Sequence, residues 1–288
     1  MIYLRVNGNY AGKPRTKEVI LGNDATALLE DVETAIRQER LILPSPPDHL
    51  LAIRRLLADP DASVERIAAA IGQDPALAAR ILKVTNSAAV AGNRPIESLP
   101  HAVARLGNRL VGALVTTHAL LQAFGQPGPA YAGLLESFHA NSREVAAWAW
   151  ALAKTVRNAV PEEAMLTGLV HRIGMLPILQ CAMHEPDPPP HEVLQPLLEA
   201  RHSPIGALLL EQWHFPPAIV TAVAEQAKTG NAPNALSAIL RVAIAARAQD
   251  ALPDDAPARL GRALTPEMLA EVDRAREDAL AMLVAESR

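Results

Sequence analysis

One cysteine, Cys181, stands alone in 288 residues, so no disulfide within the chain can staple the fold. Aromatic residues amount to 3%, which leaves the core to aliphatic side chains. Neither sign of charge is in excess: 27 Lys and Arg face 31 Asp and Glu, for a net charge of -4. No global basic field therefore draws the chain to nucleic acid or to an anionic membrane. No uninterrupted apolar run reaches the roughly 18 residues of a membrane span. The start, Met1-Ile2-Tyr3-Leu4-Arg5-Val6, is too short and too polar for an export signal. Together these absences predict a cytoplasmic chain. There is no Gly-rich phosphate loop, and no two histidines fall at a short metal-binding spacing such as HxxxH.

What is present is helical. Half of the residues are apolar, mostly Ala, Leu, Val and Ile, a composition suited to closely packed helices. Residues 1–22 are the exception: Ile2 to Val6 and Val19 to Leu21 alternate and read as a small hairpin or an irregular arm. Beyond Asp24, Ala27, Leu28, Val32, Ala35 and Ile36 form one apolar stripe, broken at Leu43-Pro44-Ser45-Pro46-Pro47. Leu50, Leu51, Ile53, Leu56 and Leu57 form the next. Ser63 then reads as an N-cap, and Asp74-Pro75 as an N-cap followed by proline at the first helical position. A helix opens at Ser98, Gly107-Asn108 makes a turn, and a long apolar helix runs from Leu110 to about Phe124. Gly125-Gln126-Pro127-Gly128-Pro129 marks a boundary. Further helices are predicted over 131–156, 161–183, 204–214, 217–228, 235–249 and 265–288, the last capped by Thr265.

The elements Asp74-Pro75-Ala76-Leu77, Asn86-Ser87 and Arg105-Leu106-Gly107, in that order, resemble the HDOD family. So does the later stretch with Ser142, Ala146 and the run Gly168-Leu169-Val170-His171-Arg172-Ile173-Gly174. The likeness covers roughly residues 40–250. It implies an all-α fold of two packed helical subdomains, the second HD-domain-like, with a short N-terminal arm in which β structure is allowed. The segments read as 1–40 arm and helix, 41–126 N-terminal subdomain, 127–252 HD-like subdomain and 253–288 C-terminal helical extension. It also implies a regulatory role in bacterial signal transduction.

In HD hydrolases, histidines and aspartates from three helices gather a divalent metal that activates water. Set against that pattern, Asn141 stands where the first histidine would be, and Arg172 replaces the bridging aspartate. Glu225-Gln226 take the place of a histidine pair, and the last carboxylate falls near Ala243-Ile244, where Ile244 cannot ligate. Only His171 remains. A guanidinium donates hydrogen bonds and binds no metal. If Arg172 is buried it needs a carboxylate, and Glu144 and Glu225 are the candidates.

The remaining candidates have plain readings beside the sharper ones. His49, His101, His118, His139, His171, His184, His191, His202 and His214 read as scattered surface or hydrogen-bonded residues, and Cys181 as a small buried one. Asn86-Ser87 reads as a helix-end cap, with a ligand-contacting corner as the alternative. Trp148 and Trp150 read as core, with an exposed partner anchor as the alternative. The reading is a non-catalytic signalling module working through protein partners or associated signalling domains, with no cofactor and no metal. The 1–40 arm and the C-terminal helix are its candidate docking elements. One alternative is a residual metal phosphohydrolase acting on nucleotides or cyclic dinucleotides. The other is a nucleic-acid-linked regulator using Arg54, Arg55, Lys83, Arg105 and Arg109.

Overall fold

The structure, a computed structural model, describes residues 2–10, 13–21, 34, 47–87, 95–124, 131–183, 188–249, 252, 254–261 and 263–284. The arm is a hairpin: β1 (Ile2–Tyr10) pairs antiparallel with β2 (Lys13–Leu21), Ile2 opposite Leu21. Its strands are longer than the alternation suggested, running through Gly8 and Pro14. The other regular elements among the described residues are helices. The expected stripe from Ala27 to Ile36, the Leu43-Pro44 break and the boundary at 125–129 lie outside the described residues.

The chain divides into two compact units, each drawn from separate stretches of sequence. One comprises Pro46–Ala123, Asn141–Val170 and Thr229–Arg288. It begins with α1 (Asp48–Ala58), α2 (Val64–Ile71) and α3 (Pro75–Thr85). Caps read from sequence are in place: Ser63 Oγ accepts from Arg66 N at 3.3 Å, and Asp74 Oδ1 accepts from Ala76 N and Leu77 N at 3.0 Å. The next element, α4 (Leu99–Phe124), bends at Gly107, whose φ of 74° and ψ of 158° interrupt the helix. The expected turn is thus a one-residue kink, in a conformation that favours glycine. The part of α5 (Ala132–Ala153) from Asn141 onward, α6 (Pro161–Val170), α10 (Ala235–Gln249), a short α11 (Ala256–Arg259) and α12 (Pro266–Val284) complete the unit. Leu50, Ile53, Ile67, Ile71, Leu77, Ile81 and Leu114 form one core with Met165, Leu169, Met282 and Leu283. The C-terminal helix contributes Met282 and Leu283 to this core, and its Leu269 is left 37% exposed.

The other unit comprises Met1–Ser45, Phe124–Ala140 and His171–Lys228. It contains α7 (Met175–Met183), α8 (His191–Gln212) and α9 (Pro217–Ala224), with α8 packed against both neighbours. Two boundaries differ from the sequence reading. The single helix expected over 161–183 is two, α6 and α7, separated by the turn His171–Gly174. The helix expected from Pro204 instead starts at His191 and carries Pro196 and Pro204 inside it. Proline there removes one backbone hydrogen bond without ending the helix, because Leu194, Leu198, Ile205, Leu209 and Leu210 bury its apolar side. The stretch Pro161–Met183 is long and apolar enough to cross a membrane by length and composition, but 83% of its most apolar window is buried in the fold.

Candidate functional site

The turn between α6 and α7 places His171 and Arg172. Gly174 closes it, and a Cβ added there would stand 2.1 Å from His202 O and 2.4 Å from Gly206 N. Backbone meets backbone at that point, so the turn is seated directly on α8. His171 is buried, and its carbonyl accepts from Gln226 Nε2 at 2.8 Å; the same amide donates to Val223 O at 2.9 Å. Gln226 therefore ties the turn to the end of α9. Ser203 Oγ donates to Val223 O at 2.6 Å and fastens α8 to that same end.

Arg172 is largely buried and ion-paired through Nη2 with Glu199 of α8, whose carboxylate is half exposed. Its Nε lies 3.1 Å from Met175 Sδ. The carboxylate paired with Arg172 is thus on α8, whereas Glu144 and Glu225, the candidates by sequence, are engaged by other cations. Glu144 accepts from Arg247 Nε at 3.0 Å, and Glu225 pairs with Lys228 at 2.6 Å. Sequence spacing could not reveal Glu199, because it reaches the turn only through the packing of α8.

His202, one turn beyond Glu199, was counted among the scattered histidines. It is buried, and its Nδ1 has no hydrogen-bond partner among the described residues. Burial first, and the Arg172 charge second, bring its pKa down to about 4; Glu199 and the His171 backbone oppose this more weakly. At neutral pH the turn thus carries a neutral imidazole beside a fixed guanidinium. Of the two, the guanidinium is the group that repels a further cation. Among the described residues, no group of three or more His, Cys, Asp or Glu side chains could hold a metal ion.

Of the six positions compared with the HD pattern, His171, Arg172, Glu225 and Gln226 lie in one unit, and Asn141 and Ile244 in the other. Asn141 and Ser142 are buried on α5, and Ile244 sits in α10.

Side chains from α1 and α4 are brought together at Asp74. Its Oδ2 accepts from His118 Nε2 at 3.1 Å, from His49 Nε2 at 3.2 Å and from Gln122 Nε2 at 3.3 Å. Burial alone would raise the carboxyl pKa. The Leu77 amide, His49 and His118 outweigh it and hold the value at about 2. Asp74 is therefore an anion that receives five N–H groups, and it pins α1, α3 and α4 to one point. The cap was legible in the sequence; the three side chains of α1 and α4 were not.

Asn86 clamps the loop that follows it. Its Nδ2 donates to Ile96 O at 2.7 Å, and its Oδ1 accepts from Ile96 N at 2.8 Å. Ser87 Oγ donates back to Val84 O at 2.8 Å. Both side chains thus do the capping work of the plain reading. Leu106 packs, half buried, against the core. Trp148 is buried with Arg276 4.8 Å from its ring centroid, and Trp150 packs on the core with Lys154 at 5.5 Å. Cys181 is buried.

A family model described as the HDOD domain matches residues 43–229. Among curated proteins, an uncharacterized protein of Treponema pallidum (strain Nichols) is 27% identical over 192 residues, 63% of this chain and 37% of that protein. The chain thus spans well under half the length of that relative. Among solved structures, one named as a candidate metal-dependent phosphohydrolase, from Shewanella amazonensis SB2B, superposes with a TM-score of 0.74 at 26% identity. The match covers 90% of this chain and 99% of the other. Another, named as a candidate signal transduction protein, from Marinobacter aquaeolei VT8, has a TM-score of 0.66 at 23% identity, covering 94% and 68%. That second likeness concerns the fold.

Proposed function

Because the chain belongs to the HDOD domain family, we propose that it is a non-catalytic signal-transduction module acting through protein partners. The observation that carries this reading is Arg172. A guanidinium, ion-paired with Glu199, stands where an HD hydrolase would carry a metal-bridging carboxylate. A second cation placed beside it would meet repulsion from that charge, and the neighbouring His202 is held neutral, first by its burial and second by Arg172. Without a bound metal, the water activation on which this phosphoester chemistry depends has no source. The site is then a structural joint, in which the turn, α8 and the end of α9 are tied by Gln226, Ser203 and the Arg172–Glu199 pair. A partner, or an upstream sensory segment, would act by changing how the helical subdomains pack. We place the protein in the cytoplasm. We keep 1–40 (arm and helix), 41–126 (N-terminal helical subdomain), 127–252 (HD-like helical subdomain) and 253–288 (C-terminal helical extension) as the proposed division of the sequence, with the 1–40 arm and the C-terminal helix as candidate docking elements.

The Shewanella relative's name favours a second reading, a residual metal-dependent phosphohydrolase. The two are separated by elemental analysis of the purified protein and by hydrolysis assays on nucleotides and cyclic dinucleotides with Mn²⁺, Mg²⁺ or Fe²⁺ added. The regulatory reading expects less than stoichiometric metal and no turnover above blank. Stoichiometric metal with turnover abolished by His171→Ala would establish the hydrolase instead. Salt-dependent binding of DNA or RNA, lost on replacing Arg54 and Arg55, would establish the nucleic-acid reading.

A further inference from the structure

The Asp74 cluster joins three helices through one oxygen atom. His49 comes from α1, Asp74 from the start of α3, and His118 and Gln122 from α4. Asp74 and His118 are nearly buried, with side chains 8% and 12% exposed, while His49 is 38% exposed and Gln122 lies at the surface. The carboxylate is ionised and can only accept, so an imidazole bonded to it presents Nε2–H; the Gln122 amide nitrogen also stands 2.8 Å from His118 Nε2. A neutral imidazole in that tautomer satisfies the contact and adds no charge.

Asp74 and Arg80 come from α3, His49 from α1 and His118 from α4; Asp48, beside His49, is exposed. One carboxylate balances one cation. Arg80 already acts on His118 electrostatically, so an imidazolium at His118 would leave positive charge in excess at a largely buried point.

We propose that the His49–Asp74–His118 cluster is an acid-sensitive latch that holds α1 against α3 and α4 only while the His118 imidazole is neutral. The direction of titration agrees: burial, then Arg80, lowers the His118 pKa against the opposing pull of Asp74, and His49 lowers it further. A histidine whose folded pKa lies below its unfolded value supports the fold above the unfolded value. It withdraws that support as pH falls. Release would begin at α1, the helix that enters the matched domain from its N-terminal side, where His49 is the most exposed of the three groups. The latch is separate from the His171–Arg172 turn and does not depend on the function proposed above.

The test is a titration of the full chain by NMR between pH 8 and 5, reading the imidazole ¹⁵N signals together with the backbone amides of α1. The latch predicts that α1 amides shift in one transition whose midpoint equals that of the His118 ring. It also predicts that His118→Gln, which keeps an N–H donor but no titration, loses that transition and leaves α1 as at pH 8. Alpha-1 amides that do not move, or that move unchanged in His118→Gln, would overturn the proposal. Should the variant fail to fold, differing midpoints for His118 and α1 in the wild-type chain overturn it equally.

Discussion

Acidification should weaken this protein through His202. The imidazole is held at about 4, against an unperturbed 6.5. Its buried Nδ1 has no partner among the described residues, so a second N–H there would be unsatisfied, and Arg172 stands beside it. Between these values the unfolded chain binds a proton that the folded chain refuses, so stability rises with pH across the window. The contribution is complete above about pH 6.5 and is lost as pH falls to about 4. At about 1.36 kcal/mol per pH unit, the interval corresponds to about 3 kcal/mol. That is a large part of the roughly 5–15 kcal/mol that holds most domains folded. Urea unfolding at pH 7.0 and 4.5 measures it, with His202→Gln as reference, because glutamine does not titrate. Wild type should lose about 2–3 kcal/mol more than the variant over that range. Parallel losses in the two proteins would show that His202 is neither buried nor repelled as described.

Other expectations follow from the same geometry. Replacing Arg172 by Gln removes the second cause of the depression, so the His202 imidazole should titrate upward from about 4 in ¹⁵N NMR; an unchanged midpoint would place the guanidinium elsewhere. Gly174→Ala forces backbone apart where a Cβ would come 2.1 Å from His202 O. The cost should reach or exceed about 3 kcal/mol in thermal or urea unfolding, and a neutral result would contradict the seating of the turn on α8. Asp74→Asn should cost about 2 kcal/mol at pH 7, since the native carboxyl sits at about 2 instead of 3.8. A carboxylate with a depressed pKa stabilises above its unfolded value. The gap between variant and wild type must therefore close as pH falls toward 2, and a gap that persists there would point to packing instead of charge. Asn86→Ala leaves Ile96 N and O without the clamp and should cost about 1–2 kcal/mol by chemical denaturation, with little change expected in the m-value.

Periodicity and punctuation in the chain alone determined much of this structure. The helices around Leu50, Ile67, Leu77 and Ala235, the caps at Ser63 and Asp74, the break at Gly107 and the buried state of Cys181 are local consequences of side-chain spacing and backbone preference. The substitution of Arg172 for a metal-bridging aspartate was equally legible, because the inability of a guanidinium to ligate does not depend on its surroundings. What carries these residues' behaviour is not local. Glu199 and His202 become neighbours of the turn only because Gly174 lets it rest on α8. His49, His118 and Gln122 reach Asp74 from 25, 44 and 48 residues away. The C-terminal helix joins the core of one unit through Met282 and Leu283. Pairing across such separations depends on which apolar faces bury one another, a property of the assembled fold. Sequence therefore announced what His171-Arg172 cannot do, and tertiary packing decided which carboxylate and which histidine that pair answers to.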